Sequence, residues 1–181
     1  MAEITVSAIK ELRERTGCGM MDAKRALTDA GGDIEKAIDD LRKRGEVKAA
    51  KKAGRATAEG KVAIHVTGKI AAVAALNCET DFTANNDEFK SLVTGIAQAI
   101  AAAAGDPAGL KYANGGTVGD AITALVAKTG ENMQLGKSAR LTIGGAGYFG
   151  QYLHSDGKLG VVVKIEGGDG ASDAEKALAK D

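Results

Sequence analysis

The 181-residue chain carries 24 basic and 24 acidic side chains, so no overall charge favours nucleic acid or a membrane surface. Its length suits one ordinary domain together with a smaller one. Aromatic residues make up 3% of the chain, which predicts a core of small, closely packed side chains. No apolar run reaches the roughly 20 residues that a membrane-spanning helix needs.

Residues 1–45 have the pattern of three short helices joined by glycine turns. Apolar residues recur at helical spacing, most clearly at Ile34, Ile38 and Leu41. The predicted helices run from a cap at Thr5 or Ser7 to about Thr16, from Met20 to about Ala30, and onward from a cap at Asp33. Such a bundle has a very small core, which favours a docking module over an independently stable domain.

Residues 42–61 carry eight basic side chains against two acidic ones. The frequent alanines of this run predict a basic linking helix over residues 46–60 that is exposed to solvent. A basic segment can also bind phosphates, so a nucleic-acid-associated module is the alternative function of the chain. The run contains no aromatic residue on which a base could stack, and this favours the linker.

The pattern changes to strict alternation at residue 62 and predicts a β-hairpin. Its strands are residues 62–67 and 70–77, and Gly68-Lys69 supplies the tight turn between them. The second strand is almost wholly apolar, so we expect it to be buried.

Helices and then short strands follow the hairpin. A capping box formed by Asn85 and Glu88 predicts a helix from about residue 86 to 104. The other predicted elements are a helix from about Val118 to Lys128, strands at Ala139–Ile143, Tyr148–Leu153 and Leu159–Ile165, and a short helix after a second capping box at Ser172 and Glu175. Residues 61–181 are therefore expected to form an α+β core domain of antiparallel strands and helices, cut short at its C-terminal end.

The segment Cys78-Glu-Thr-Asp-Phe82 places an aromatic ring beside a carboxylate, where a predicted strand ends and a helix begins. The chain has three phenylalanines and no tryptophan, so an aromatic residue at such a tip is unusual. Phe82 either folds back onto its own core or offers a rigid apolar contact to a partner, and the residues alone leave both readings open.

No residue pattern predicts a catalytic or metal-binding site. Gly145–Gly150 satisfies the spacing GxGxxG, but a strand pattern follows where a dinucleotide site requires a helix. His65 lies within a predicted strand, and His154 ends one before the turn Ser155-Asp-Gly157, where it can form a hairpin-tip contact. We therefore expect no enzyme, no metal and no cofactor of its own.

The cysteines and the N-terminus both favour a cytoplasmic protein. Cys18 and Cys78 lack the CxxC spacing of metal and redox sites, so we expect reduced structural thiols. Glu3 and a helical pattern stand where a secretory signal would need basic and apolar segments.

Met20 and Met21 open the second predicted helix. Consecutive helical residues point about 100° apart, so both cannot face the same core. Met20 fits the apolar stripe of the bundle. Met21, beside Lys24 and near Arg13, is expected to form part of an adaptable apolar and basic contact surface.

Several runs of the chain form specific signatures. The N-terminal run is Lys10-Glu-Leu-Arg-Glu-Arg-Thr-Gly-Cys-Gly-Met-Met-Asp-Ala-Lys-Arg-Ala-Leu27, continued by Gly31–Ile38 and Lys48–Gly54. The second is Asn77-Cys-Glu-Thr-Asp-Phe82, leading to Asn86–Phe89, with weaker similarity at Ala127–Asn132, Tyr152–His154 and Gly160–Val163. Together they resemble the bacterial elongation factor Ts family, and the resemblance covers essentially the whole chain.

The resemblance implies a guanine-nucleotide exchange factor for elongation factor Tu, the GTPase that delivers aminoacyl-tRNA in translation. It implies that residues 1–45 form a domain similar to ubiquitin-associated (UBA-like) domains that docks on the GTPase, and that residues 61–181 form a dimerisation or core domain. By matching position, the partner-binding residues are Arg13, Met20, Met21, Lys24, Thr80, Asp81, Phe82, Gly130 and His154. Mg²⁺ and GDP or GTP are then bound by the partner, and no direct contact with nucleic acid or membrane is expected.

Within that set, Asp81 and Phe82 match a pair that inserts between GTPase helices and disturbs the surroundings of Mg²⁺ and phosphate. Gly130 matches a second contact loop, and His154 matches a residue that approaches the phosphate loop. Longer family members continue with a second core half, a coiled-coil insertion and a C-terminal module. This chain is therefore expected to be either a natural short form, working as a homodimer, or a fragment.

The chain also departs from the family pattern at a few positions. Residues 134–140 match only loosely, and Thr83 and Asn85 stand where the family more often has an aliphatic and a basic residue.

Overall fold

The computed structural model describes residues 4–113 and 115–168 of the chain. Contacts divide it into two compact units: a helical unit, Met1–Arg55 with Asp120–Asn132, and a sheet unit, Ala56–Gly119 with Met133–Asp181. The helix predicted after Ser172 lies outside the described residues.

Helices and antiparallel strands make this an α+β chain, as predicted. In chain order the described elements are α1 (Val6–Thr16), α2 (Met20–Asp29), α3 (Ile34–Ala50), β1 (Glu59–Thr67), β2 (Ile70–Cys78), α4 (Asp81–Asn85), α5 (Asp87–Ala102), a 3₁₀ turn (Pro107–Gly109), α6 (Val118–Thr129), β3 (Met133–Thr142), β4 (Gly147–Leu153) and β5 (Gly160–Glu166).

The helical unit opens with the three predicted helices, and two of their caps are confirmed. The hydroxyl oxygen of Thr5 accepts a hydrogen bond from the backbone N–H of Ala8 at 3.2 Å. The carboxylate of Asp33 accepts one from the N–H of Lys36 at 3.1 Å. Each contact pairs an N–H that the first turn of a helix leaves without an internal partner, so α1 and α3 begin where the sequence predicts.

Small side chains form the core of the helical unit. Leu12 and Leu27 are its largest fully buried members, and alanines such as Ala23 fill the space around them. The prediction that Met20 joins this core is wrong, because 60% of Met20 is exposed. Met20 is the first residue of α2, and the buried stripe of that helix begins one turn later, at Ala23.

The linking helix predicted over residues 46–60 is not a separate element. Its first part continues α3, and β1 occupies its end. Gly45 does not interrupt α3, because it is buried against α6 in the helical unit, where an added Cβ would lie within 3.6 Å of Thr123 and Ala127. This packing offsets the low helix propensity of glycine.

A three-stranded antiparallel sheet, in the order β1-β2-β3, forms the centre of the sheet unit. The predicted hairpin of β1 and β2 is confirmed, with Gly68 at φ 54° in its turn. Helix α5 packs on the sheet through a face that includes the fully buried Phe89 and Ile96. Strand β3 begins at Met133 rather than Ala139. Its first half mixes apolar and polar residues, and pairing with β2 places Met133, which is buried, opposite Cys78.

Strands β4 and β5 pair as a separate antiparallel ribbon in the sheet unit. Gly147 opens β4 at φ 155°, and a Cβ at this position would collide with the carbonyl oxygen of Ile165. The second part of the GxGxxG run, Gly147–Gly150, lies in β4, and the residues after the run continue as a strand, as predicted, where a dinucleotide site would have a helix.

Replacing Phe89 with alanine should lower the free energy of unfolding by about 3–5 kcal/mol, because the change removes a fully buried ring and leaves a cavity. Phe82→Ala is the matched control, since it deletes the same atoms from an exposed position and should change stability by no more than about 0.5 kcal/mol. Urea unfolding of both variants measures the difference, and equal losses would contradict the assignment of core and surface.

Candidate partner-binding site

The ring of Phe82 is 86% exposed, so the reading in which it folds back onto its own core is wrong. The predicted tip between strand and helix is itself a five-residue helix, α4. Its N-cap is Thr80, whose hydroxyl oxygen accepts a hydrogen bond from the N–H of Thr83 at 3.3 Å. Phe82 is thus the second residue of a capped helical turn.

Two buried residues near Phe82, one before and one after it in the chain, hold α4 in place. Cys78 and Ala84 are almost completely buried. The thiol of Cys78 donates to the carbonyl oxygen of Thr80 at 3.2 Å, and the N–H of Ala84 donates to the same oxygen at 3.1 Å. The exposed ring therefore projects from a fixed backbone.

Helix α5 follows α4 after a single cap residue, Asn86. The side-chain oxygen of Asn86 accepts a hydrogen bond from the N–H of Glu88 at 2.8 Å. The capping box predicted at Asn85 is wrong, because Asn85 is the last residue of α4.

His154 lies at the tip of the β4–β5 hairpin, as the sequence predicts. Its ring nitrogen Nδ1 is 3.0 Å from Oδ1 of Asp156. Backbone hydrogen bonds close the turn. The N–H of His154 donates to the carbonyl oxygen of Leu159 at 2.9 Å, and the N–H of Gly157 donates to the carbonyl oxygen of His154 at 2.8 Å. The ring of Tyr152 stands edge-on to the imidazole at 6.3 Å between centroids.

The hairpin tip is fastened to strand β1. The carbonyl oxygen of Gly157 accepts a hydrogen bond from the N–H of Val62 at 2.7 Å, and that of Asp156 accepts one from the ammonium group of Lys61. The ammonium group of Lys158 lies 2.6 Å from Oε2 of Glu59. Sequence reasoning missed this fastening, because no pattern links residues so far apart in the chain.

Charges at the hairpin tip act on one another and on α4. Hydrogen bonds from the Lys158 backbone and from His154 lower the pKa of Asp156. The hydrogen bond to Glu59 raises the pKa of Lys158, and the Asp81 carboxylate raises it further. The charge of Asp81 is the smallest of the causes that raise the pKa of Lys158, after those of Glu59 and Asp156.

The candidate residues of α1 and α2 are exposed on the helical unit. Met20 and Met21 are 60% and 74% exposed, and Lys24 is also on the surface. Arg13 is exposed too, and its Nε donates to the carbonyl oxygen of Cys18 at 3.4 Å. Exposed methionines beside cationic groups make a deformable apolar and basic surface.

Gly130 ends α6 in the helical unit at φ 81°, a conformation that favours glycine. Its carbonyl oxygen accepts a hydrogen bond from the ammonium group of Lys52. Two residues later, the buried side chain of Asn132 donates to the carbonyl oxygen of Arg55 at 2.7 Å. The sequence singled out the run around Gly130 but not the structural role of Asn132.

Residues 4–113 and 115–168 contain no group of three His, Cys, Asp or Glu side chains that could hold a metal ion. Both cysteines are free thiols, with Cys78 buried and Cys18 half-buried. Among the same residues, no helix combines the length and the apolar character needed to cross a membrane.

Comparison with known proteins places the chain in a family. The family model described as Elongation factor TS matches residues 79–181, which is more than half of the chain. The chain belongs to the elongation factor Ts family. This confirms the resemblance drawn from its signatures. Of the candidate residues, Thr80, Asp81, Phe82, Gly130 and His154 lie within the part matched by the elongation factor Ts model.

Bacterial proteins named Elongation factor Ts are similar along nearly all of the chain. That of Arthrospira platensis is 49% identical over 98% of this chain and 73% of its own length. That of Beijerinckia indica is 46% identical over all of this chain and 61% of its own length. The Desulfovibrio desulfuricans protein is 46% identical, over 95% of this chain and 60% of its own length. The chain thus spans 60–61% of the length of two of these elongation factor Ts proteins.

The lowered pKa of Asp156 predicts how the hairpin tip responds to pH. A carboxyl group with a depressed native pKa stabilises the fold at pH values above 3.8, and this contribution is lost as the pH falls through the lower native value. The wild type should therefore be more stable than Asp156→Asn at pH 7, and the gap should close in strong acid. Urea unfolding midpoints of the two proteins across this range test the prediction, and a gap independent of pH would contradict it.

Proposed function

We propose that the chain is a guanine-nucleotide exchange factor that acts on elongation factor Tu during translation elongation in the cytoplasm. The observation that carries the proposal is the exposed ring of Phe82, held beside the Asp81 carboxylate on a helical turn between the buried residues Cys78 and Ala84. Membership of the elongation factor Ts family supports the choice of partner. Exchange makes and breaks no covalent bond, so the chain is not an enzyme in that sense and needs no cofactor of its own.

An exposed phenylalanine can stabilise a complex, because burying its ring at an interface contributes about 2–3 kcal/mol to the free energy of binding. A GTPase holds GDP through phosphate-loop amides, a lysine and Mg²⁺, whose geometry must be kept. If Phe82 is buried only when this geometry is disturbed, its burial favours the disturbed state by about 30- to 150-fold. Asp81 adds a negative charge near groups that otherwise hold phosphate and Mg²⁺.

Exchange by this route requires reciprocal coupling between nucleotide and exchange factor. If the factor weakens GDP binding by some ratio, GDP weakens binding of the factor by the same ratio. The factor therefore binds best to the nucleotide-free GTPase and leaves when a nucleotide returns. Catalytic amounts of the chain are then sufficient.

The exposed residues of α1 and α2 are assigned to docking on the same GTPase. Arg13 and Lys24 supply charge and Met20 and Met21 supply adaptable apolar surface, which suits a UBA-like docking domain. Gly130 and His154 are proposed as further contacts.

The alternative function, nucleic-acid binding by residues 42–61, has less support. Arg42 pairs with Glu46 at 2.9 Å, and Arg44 pairs with Asp29 at 2.6 Å. Lys52 is engaged by the carbonyl oxygen of Gly130. Such internal partners compete with phosphates for the same cations, so the basic run offers less charge than its composition indicates.

Catalytic amounts of the chain should accelerate release of a fluorescent GDP analogue from elongation factor Tu. The double substitution Asp81→Ala with Phe82→Ala should remove most of this acceleration, since it deletes both the apolar wedge and its charge. Stopped-flow fluorescence measures the rate.

Val47→Ala is the matched control for the double variant, because Val47 is 56% exposed on α3 and is assigned to no contact. It should release GDP at the wild-type rate. An undiminished rate in the double variant would rule out the wedge, whereas a wild type that never accelerates release would rule out the exchange function itself.

A further inference from the structure

The hairpin tip holds His154 in a defined chemical form. We propose that Asp156 is a positioning residue that keeps the proton of the neutral His154 ring on Nδ1, so that Nε2 faces the partner as a hydrogen-bond acceptor. The proposal rests on the exchange function, and it specifies what kind of group His154 meets there. That group is a hydrogen-bond donor of the GTPase, such as an amide, a hydroxyl or an ammonium group.

The contact between ring and carboxylate fixes the position of the proton. Nδ1 of His154 and Oδ1 of Asp156 are 3.0 Å apart, a hydrogen-bond distance. An ionised carboxylate can only accept, so Nδ1 must donate. In a neutral imidazole the other nitrogen then carries no proton and accepts. The His154 side chain is 46% exposed, so a partner can reach it.

The carboxylate is itself held in place. Oδ1 of Asp156 accepts a second hydrogen bond from the N–H of Lys158 at 2.8 Å. The main chain on either side is fastened to β1 by Lys61 and Val62. The carboxylate of Asp156 therefore cannot turn away from His154 without losing its hydrogen bond to the N–H of Lys158.

Hydrogen bonds keep Asp156 ionised among mixed charges at the tip. Lys158 lies on the hairpin itself, Glu59 and Lys61 come from β1, and Asp81 comes from α4. The Lys158 ammonium is paired with Glu59 at 2.6 Å. Hydrogen bonding from the Lys158 backbone lowers the pKa of Asp156, so the acceptor for Nδ1 stays charged throughout the neutral range.

Nitrogen chemical shifts of the imidazole rings test the proposal on the chain alone. The chain has two histidines, so His65 in β1 serves as an internal reference. The wild type should show His154 protonated at Nδ1. Asp156→Ala should populate the form protonated at Nε2, and Asp156→Asn, which keeps an accepting oxygen, should restore the wild-type form. Unchanged His154 shifts in Asp156→Ala, with His65 unaltered, would overturn the proposal.

A second experiment measures GDP release from elongation factor Tu and tests whether Asp156 matters for exchange. Asp156→Ala should reduce the acceleration about two- to tenfold, the size expected for loss of one hydrogen bond. It should have no further effect in a His154→Ala background, because Asp156 acts through His154. Ser155→Ala, an exposed change in the same turn, is the control and should leave the rate unchanged. Equal losses with and without His154 would overturn the positioning role.

The imidazole spectrum and the GDP-release assay distinguish a failure of this proposal from a failure of the proposed function. A wild type that fails to accelerate GDP release removes the exchange function, while the imidazole spectrum still decides whether Asp156 fixes the ring.

Discussion

Keeping the Phe82 ring in water while the backbone around it is buried is the constraint on which the sheet unit depends. An exposed ring forgoes about 2–3 kcal/mol that its burial would contribute. The unit is stabilised instead by Phe89 and Ile96 of α5, which pack against the sheet. Because Cys78 and Ala84 anchor the turn on both sides, the ring cannot collapse onto its own core. The same packing that stabilises the unit therefore keeps this ring exposed.

Much of the fold could be predicted from the sequence, because local rules decided it. The caps at Thr5 and Asp33 and the turn at Gly68 follow from hydrogen-bonding groups and glycine geometry within a few residues. Predicted boundaries of helices and strands were wrong where packing between residues far apart in the chain outweighed local conformational preference. Gly45 reads as an ordinary helix-weakening residue, yet contact with α6 keeps α3 intact. The first half of β3 has few apolar residues, and its pairing with β2 extends the strand there.

The candidate site was less predictable than the fold. The sequence marked Phe82 as unusual, but only its exposure in the structure decided between core and surface. Met20 occupied an apolar position in the helical pattern, although the core ends one turn short of it. No sequence pattern predicted that Lys158 and Glu59 would join the hairpin to β1, because each residue alone is an ordinary surface charge. Side-chain pattern predicts which face is apolar, and not which distant groups meet.

The ion pair between Glu59 and Lys158 joins residues 99 positions apart in the chain. Closing a loop between residues so far apart costs conformational entropy, and non-local contacts of this kind slow folding. A ribosome also delivers Phe82 well before it delivers the hairpin. The nascent chain therefore carries its apolar ring for a time before the braced hairpin of the sheet unit has been made.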